Sequence, residues 1–152
     1  MENKTDVTAP EHTQNLLITR QFNLPVELLF KAFVDATIFE QWMTTKVMHY
    51  EAKTHGAYAF ETAHNGVVMF RAHGTFHEVI PNETIIRTFE MQDTGFPVQL
   101  EFLHFEAIDT QSSKLTMHIL FKSAEARAQI LALRFAQGLQ MAHDRLQHFF
   151  NI

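Results

Sequence analysis

Residues 123–150 read "SAEARAQILALRFAQGLQMAHDRLQHFF", and this stretch decides the fold. Phe135, Leu139, Ala142, Leu146 and Phe149 fall on one stripe at helical spacing. Ser123 is placed to cap the helix, and Glu125 lies in its first turn, near the positive end of the dipole. The spacing predicts a single closing helix of about 27 residues, roughly 40 Å at ~1.5 Å per residue. His143 lies at the margin of the apolar stripe, beside Leu139 and Phe150. A buried imidazole needs partners for its polar atoms, because an unsatisfied one costs ~1–3 kcal/mol. A filled core has no reason to accept that cost, whereas a groove holding water or ligand does. His143 is therefore expected to line a cavity, with Tyr58 or Glu101 as neighbours.

Working back from that helix, the chain supplies a sheet for it to pack on. "LLITRQFNL" (16–24) reads as a strand, and Pro25 opens a helix, "VELLFKAFVD" (26–35). Asp35 caps a second short helix, "ATIFEQWM" (36–43). From 45 to 122 the pattern becomes strands, punctuated by "HG" (55–56), "HNG" (64–66), "IPNE" (80–83), "DTGFP" (93–97) and "TQSS" (110–113). The Asn-Gly pair suits a type I′ hairpin. The element order is β-α-α-β-β-β-β-β-β-α. It predicts an α+β domain, a curved antiparallel sheet of about seven strands wrapped around the long C-terminal helix. Residues 1–15 are polar and read as a mobile tail, and 16–152 as one domain.

Bulk properties narrow the function. The 152 residues include no Cys, which excludes disulfides and thiolate chemistry. Residues 1–15 lack the apolar run of a signal peptide, and no stretch approaches the ~20 apolar residues of a membrane span. A cytoplasmic protein without membrane contact is expected. The net charge is −5 and no Lys/Arg cluster stands out, which argues against nucleic acid binding. With 15 Phe and 7 Met, the chain is rich in the residues of large cores and adaptable apolar pockets.

No metal, cofactor or catalytic residue is assigned from the sequence. There are 10 His, but no ligand spacing typical of zinc; His73 and His77 share a strand face, and His104 and His118 lie on neighbouring strands. Ser112, Ser113 and Ser123 lie in turn or cap contexts. Glu101 alternates with Leu103 and Phe105, so it can share a face with them and meet His143. A buried carboxylate and imidazole would shift each other's pKa and could work on a carbonyl substrate. The stronger signal is apolar. Phe33, Trp42, Tyr58, Phe60, Leu103, Met117, Phe135 and Leu139 can all face the groove, with Glu101 and His143 as the polar groups of a ligand site. Trp42 is expected to be buried where the short helices meet the sheet. Ile130, Leu133 and Met141 lie off the main stripe of the last helix, where they can form a small partner or dimer surface.

The stretch "ITRQFNLPVELLFKAFVDATIFEQWM" (18–43) resembles the opening of bacterial proteins similar to the activator of the heat shock protein 90 ATPase, within the START-like (SRPBCC) superfamily. The likeness rests on Pro25, Leu28-Leu29-Phe30, Ala32-Phe33, Asp35 and Trp42. "GTFHEVIPNETIIRT" (74–88), "FEAID" (105–109) and the closing helix with Gly138 extend it over residues 16–150. The resemblance implies the helix-grip fold. Glu51, Lys53, His55 and Gly56 stand where many relatives carry Asp-x-Arg-x-Gly-Gly, so the turn at His55 is expected to differ. Relatives favour Gly-Trp followed four residues later by Leu, whereas this chain has Gly138-Leu139 and His143. Both changes favour an enlarged, partly polar cavity.

The expected function is non-catalytic binding of a small apolar or amphipathic molecule between sheet and helix. A protein-interaction module of the co-chaperone kind, or a homodimer, is the alternative that the family name implies. A cyclase- or hydrolase-like enzyme using His143 and Glu101 is a third.

Overall fold

The computed structural model describes residues 3–151. Residues 1, 2 and 152, which the tail and domain expectations include, lie outside the described residues. Strands β1 (Asp6–Thr8) and β2 (Asn15–Phe22) precede helices α1 (Val26–Val34) and α2 (Ala36–Met43). Six strands follow: β3 (Lys46–Tyr50), β4 (Ala57–His64), β5 (Val67–Ile80), β6 (Thr84–Met91), β7 (Gln99–Ala107) and β8 (Ser113–Leu120). Helices α3 (Ala124–Leu131) and α4 (Phe135–Phe149) close the chain. All eight strands form one antiparallel sheet in the order β1-β2-β8-β7-β6-β5-β4-β3. The two short helices span the gap between β2 and β3, and α2 packs against α4. This is the helix-grip arrangement.

The local signals act as their chemistry requires. Asp35 Oδ1 accepts from the Ile38 amide at 3.1 Å, and Ser123 Oγ from Ala126 at 3.1 Å. At the β4–β5 turn Asn65 (φ 51°) and Gly66 (φ 79°) both take positive φ, as a type I′ hairpin demands. Alternation along the strands sorts the faces. In β8, Ser113, Leu115, Met117 and Ile119 are buried; in β7, Gln99, Glu101, Leu103 and Phe105; in β2, Leu16, Ile18, Arg20 and Phe22. Register sets Leu103 opposite Met117 and Ile18 opposite Met117 on its other side, so one continuous concave face meets the helices. Gly74 permits a close backbone approach: a Cβ there would lie 2.0 Å from the Thr88 carbonyl oxygen and 2.7 Å from the Tyr58 ring.

Four features depart from the sequence reading. An eighth strand, β1, lies within the segment read as a tail and pairs with β2, Val7 opposite Ile18. The closing helix is broken. Arg134 adopts a left-handed conformation (φ 57°, ψ 40°) and caps α4, while Leu133 N–H bonds Ile130 rather than continuing the α-helical ladder. No Gly or Pro lies between Leu131 and Phe135, and nothing in the local sequence explains the break. Ile130, read as exposed, is buried; Leu133 and Met141 are 58% and 54% exposed. Ser113 lies at the start of β8, fully buried, its Oγ donating to the Leu24 carbonyl at 2.7 Å.

Candidate functional site

Between the concave face and α4 lies a cavity of about 140 Å³. Its walls are mostly aromatic. Phe33 comes from α1; Phe39, Trp42 and Met43 from α2; Tyr58 and Phe60 from β4; Phe89 from β6; Met117 and Ile119 from β8; and Phe135 and Leu139 from α4. Its polar members are Arg87 on β6, Gln99 and Glu101 on β7, and His143 on α4. A shallower groove of about 330 Å³ adjoins it, bounded by Ile130, Leu133, Arg134, Gly138 and Arg145. Met43, Phe89, Gln99, Phe135 and Leu139 line both spaces and form the partition between them. The break between α3 and α4 lies at the rim of the outer groove.

Of the residues singled out from sequence, Phe33, Trp42, Tyr58, Phe60, Glu101, Met117, Phe135, Leu139 and His143 converge on the cavity. Leu103 does not line it; it is buried in the filled part of the core. Strand parity placed Leu103 on the right face, but parity is silent on position along the strand. Phe39, Met43, Arg87, Phe89, Gln99 and Ile119 were missed. A signal existed for several of them. Arg87 and Phe89 alternate with the buried Ile85, and Gln99 has the parity of Glu101.

Trp42 is 3% exposed, and its Nε1 donates to the Ala32 carbonyl at 2.8 Å. Tyr58 turns its hydroxyl to the Thr88 carbonyl at 2.6 Å, and Tyr50 donates to the Phe33 carbonyl. These tips are spent on the protein itself, so the two residues that reach the cavity, Trp42 and Tyr58, offer it ring surface. Burial, partly offset by the Arg87 charge, raises both tyrosine pKa values and keeps the phenols neutral.

The charged centre of the site is an ion pair. Arg87 Nε donates to Glu101 Oε1 at 2.8 Å, and Gln99 Nε2 donates to Glu101 Oε2 at 2.7 Å. The guanidinium carbon lies 5.8 Å from the Phe33 ring centroid and 5.7 Å from that of Tyr58, within cation–π range. Burial alone would lower the Arg87 pKa, but the Glu101 carboxylate and its hydrogen bond, together with the Tyr58 and Tyr50 phenols, outweigh it and the net shift is upward. Arg87 therefore stays charged. Both oxygens of Glu101 are engaged within this triad, which is the satisfied-pair arrangement rather than a free base.

His143 finds its partner elsewhere than expected. It is 1% exposed, and its Nδ1 lies 2.8 Å from Thr5 Oγ1, just ahead of β1, rather than beside Tyr58 or Glu101. Thr5 also anchors its amide on Gln140 at 2.7 Å and accepts from Arg20 Nη1 at 3.4 Å. Arg20 in turn pairs with Asp144 at 2.7 Å. The imidazole meets the Phe22 ring edge-on, with centroids 5.6 Å apart. Burial, reinforced by the Arg20 charge and only partly opposed by Asp144, lowers the His143 pKa to about 3. The ring is neutral at physiological pH. Thr5 Oγ1 can donate to Nδ1 or accept from it, so Nε2 carries the imidazole proton in one tautomer and is an acceptor in the other.

The remaining histidines lie outside this site. His73 and His104 are exposed beside Glu90 (3.7 Å) and Glu106 (3.4 Å). His118 lies opposite Phe102, not His104. His55 has positive φ (67°) in the turn that was expected to differ from relatives. Among the described residues no group of three His, Cys, Asp or Glu is placed to hold a metal ion. No helix among them is long and apolar enough to cross a membrane.

The sequence matches the family described as Activator of Hsp90 ATPase homolog 1-like protein over residues 23–151. No curated protein matches it in sequence. Its fold is similar to that of a Mycobacterium smegmatis protein, with TM-score 0.87 and 20% identity over 97% of each chain. It is also similar to a Rhodobacter sphaeroides protein, with TM-score 0.85 and 18% identity over 96% of this chain and 97% of that one. A third similar structure is DynU16, a protein of the dynemicin biosynthetic locus. Its TM-score is 0.71 at 13% identity, over 90% of this chain and 46% of that one. At these identities the likeness is one of fold.

Proposed function

The chain belongs to the activator of Hsp90 ATPase homolog 1-like family of the START-like (SRPBCC) superfamily, and from its cavity we propose that it binds a small, largely apolar molecule between sheet and C-terminal helix. One observation carries this reading: about 140 Å³ of open space persists inside a core otherwise crowded with Phe. Protein interiors pack densely and leave few such voids. An apolar cavity of about 150 Å³ in another protein takes up benzene or xenon. The adjoining groove gives a molecule larger than benzene somewhere to extend, and only the partition of Met43, Phe89, Phe135, Leu139 and Gln99 stands between the two spaces. Methionine is well suited to such a wall, because its flexible side chain re-packs at low cost.

Catalysis finds less support. His143 and Glu101 line one cavity, but each is tied to other partners: His143 to Thr5, and Glu101 to Arg87 and Gln99. A ring with a pKa of about 3 is a weak base at neutral pH. Native mass spectrometry of the freshly purified protein tests the binding reading. The expected result is a population heavier than the bare chain by one small organic molecule, lost on denaturation. A protein that never retains such a molecule, and takes up none from a panel of small aromatics, contradicts it.

A further inference from the structure

The cavity's polar groups are unequal in a way that specifies its ligand. Arg87 is 8% exposed, and its one hydrogen bond runs from Nε to Glu101. Among the described residues no side chain or carbonyl engages its two Nη atoms, and these are not sealed in by protein. The guanidinium lies over Phe33 and Tyr58, both cavity walls, so the space its Nη atoms meet is the cavity. Among the described residues His143 Nε2 has no side-chain partner either, and the tautomer sets whether it donates or accepts. Trp42 and Tyr58 have already spent their donors on backbone carbonyls. Each Glu101 oxygen already accepts one hydrogen bond within the triad.

The charge of the ligand follows from the ion pair. Glu101 already neutralises Arg87, so an incoming carboxylate would leave a net negative charge in an apolar space, at a desolvation cost that one further contact does not recover. A cation would face the guanidinium. An uncharged acceptor oxygen meets neither penalty and supplies what the Nη atoms lack. Aromatic walls and a small volume favour a planar ring behind that oxygen. Resting on the ligand-binding reading above, we propose that the cavity takes a neutral aromatic carbonyl compound, its ring between Phe33, Trp42 and Phe60 and its oxygen held by the Nη atoms of Arg87.

Calorimetric titration with toluene, acetophenone and benzoate tests this, because the three probes share a ring and differ in the polar group. Acetophenone is expected to bind roughly tenfold tighter than toluene, the return on a hydrogen bond to a charged donor. Benzoate is expected to bind more weakly than acetophenone. Arg87→Met alone would strand Glu101, so the test uses R87M/E101Q, which removes the pair together and leaves position 101 a partner in Gln99. That variant should lose the preference for acetophenone over toluene. In the wild type, acetophenone should move the Arg87 Nη–H resonances downfield, as a hydrogen bond does, and toluene should give no such downfield shift. Equal affinities for toluene and acetophenone, benzoate as the tightest probe, or a preference that survives in R87M/E101Q would each overturn the proposal while leaving the cavity reading intact. Failure of all three probes would overturn both.

Discussion

Replacing His143 with Leu should change how the fold responds to acid more than it changes the fold itself. At pH 7.5 the variant loses the Thr5 bond, worth about 1 kcal/mol, and gains a similar amount from burying an apolar side chain. The two proteins should then be about equally stable. Below pH 6.5 they should diverge. The unfolded ring titrates near its ordinary value of 6.5, and the folded ring only near 3. Between those values the unfolded chain binds a proton that the folded chain refuses, so stability falls with falling pH by up to ~1.36 kcal/mol per unit. At pH 5 the wild type should have lost about 2 kcal/mol through this ring alone, and the variant none of it. Urea unfolding followed by Trp42 emission at pH 7.5 and pH 5 measures both. Other carboxylates and histidines titrate in both proteins and cancel in the difference. The variant should therefore emerge about 2 kcal/mol more stable than the wild type at pH 5. A stability difference that does not change with pH would mean that the ring titrates alike in both states, and would refute its burial against Thr5, Arg20 and Phe22.

Arg87→Met should cost about 3–5 kcal/mol in urea unfolding, because it leaves the Glu101 carboxylate buried without its counter-charge, and R87M/E101Q should recover most of that loss. Thr5→Val should cost about 1–3 kcal/mol by stranding His143 Nδ1, and the ring's nitrogen shifts should report the lost bond. Arg134→Gly should raise stability by about 0.5–1 kcal/mol, since glycine relieves the left-handed conformation at the head of α4; a thermal scan reads the effect, and a loss of stability would show that the bend is not strained.

Much of the fold could be read directly from side-chain chemistry. Pro25 and Asp35 mark where α1 and α2 begin, Asn65-Gly66 marks a hairpin, and two-residue alternation marks the buried face of β7 and β8. These signals are local, and the structure uses each locally. What escaped depends on tertiary context. The strand at Asp6–Thr8 has a single apolar residue, Val7, and becomes a strand only because β2 offers an edge. The bend at Arg134 follows a run of helix formers, and no residue in it announces a break. Within the site, apolar character led to the aromatic walls but passed over Arg87 and Gln99, because polar residues in a strand read as solvent-facing unless parity is followed strictly. His143 was recognised as a cavity residue from its place on the helix stripe. Its partner, Thr5, lies 138 residues away in a segment whose composition suggests a tail.

The central claim is that the space between sheet and helix is open to a small apolar molecule, and the methionines offer the most direct measurement. Met43 and Met117 line the cavity, whereas Met48, Met69 and Met141 are exposed elsewhere. In protein labelled at the methionine methyl groups, titration with toluene should shift the Met43 and Met117 signals saturably and leave the Met48, Met69 and Met141 signals in place. Saturation without any shift at Met43 and Met117, or no saturable shift at any methionine up to the solubility of the probe, would contradict the account and return this space to the packed core.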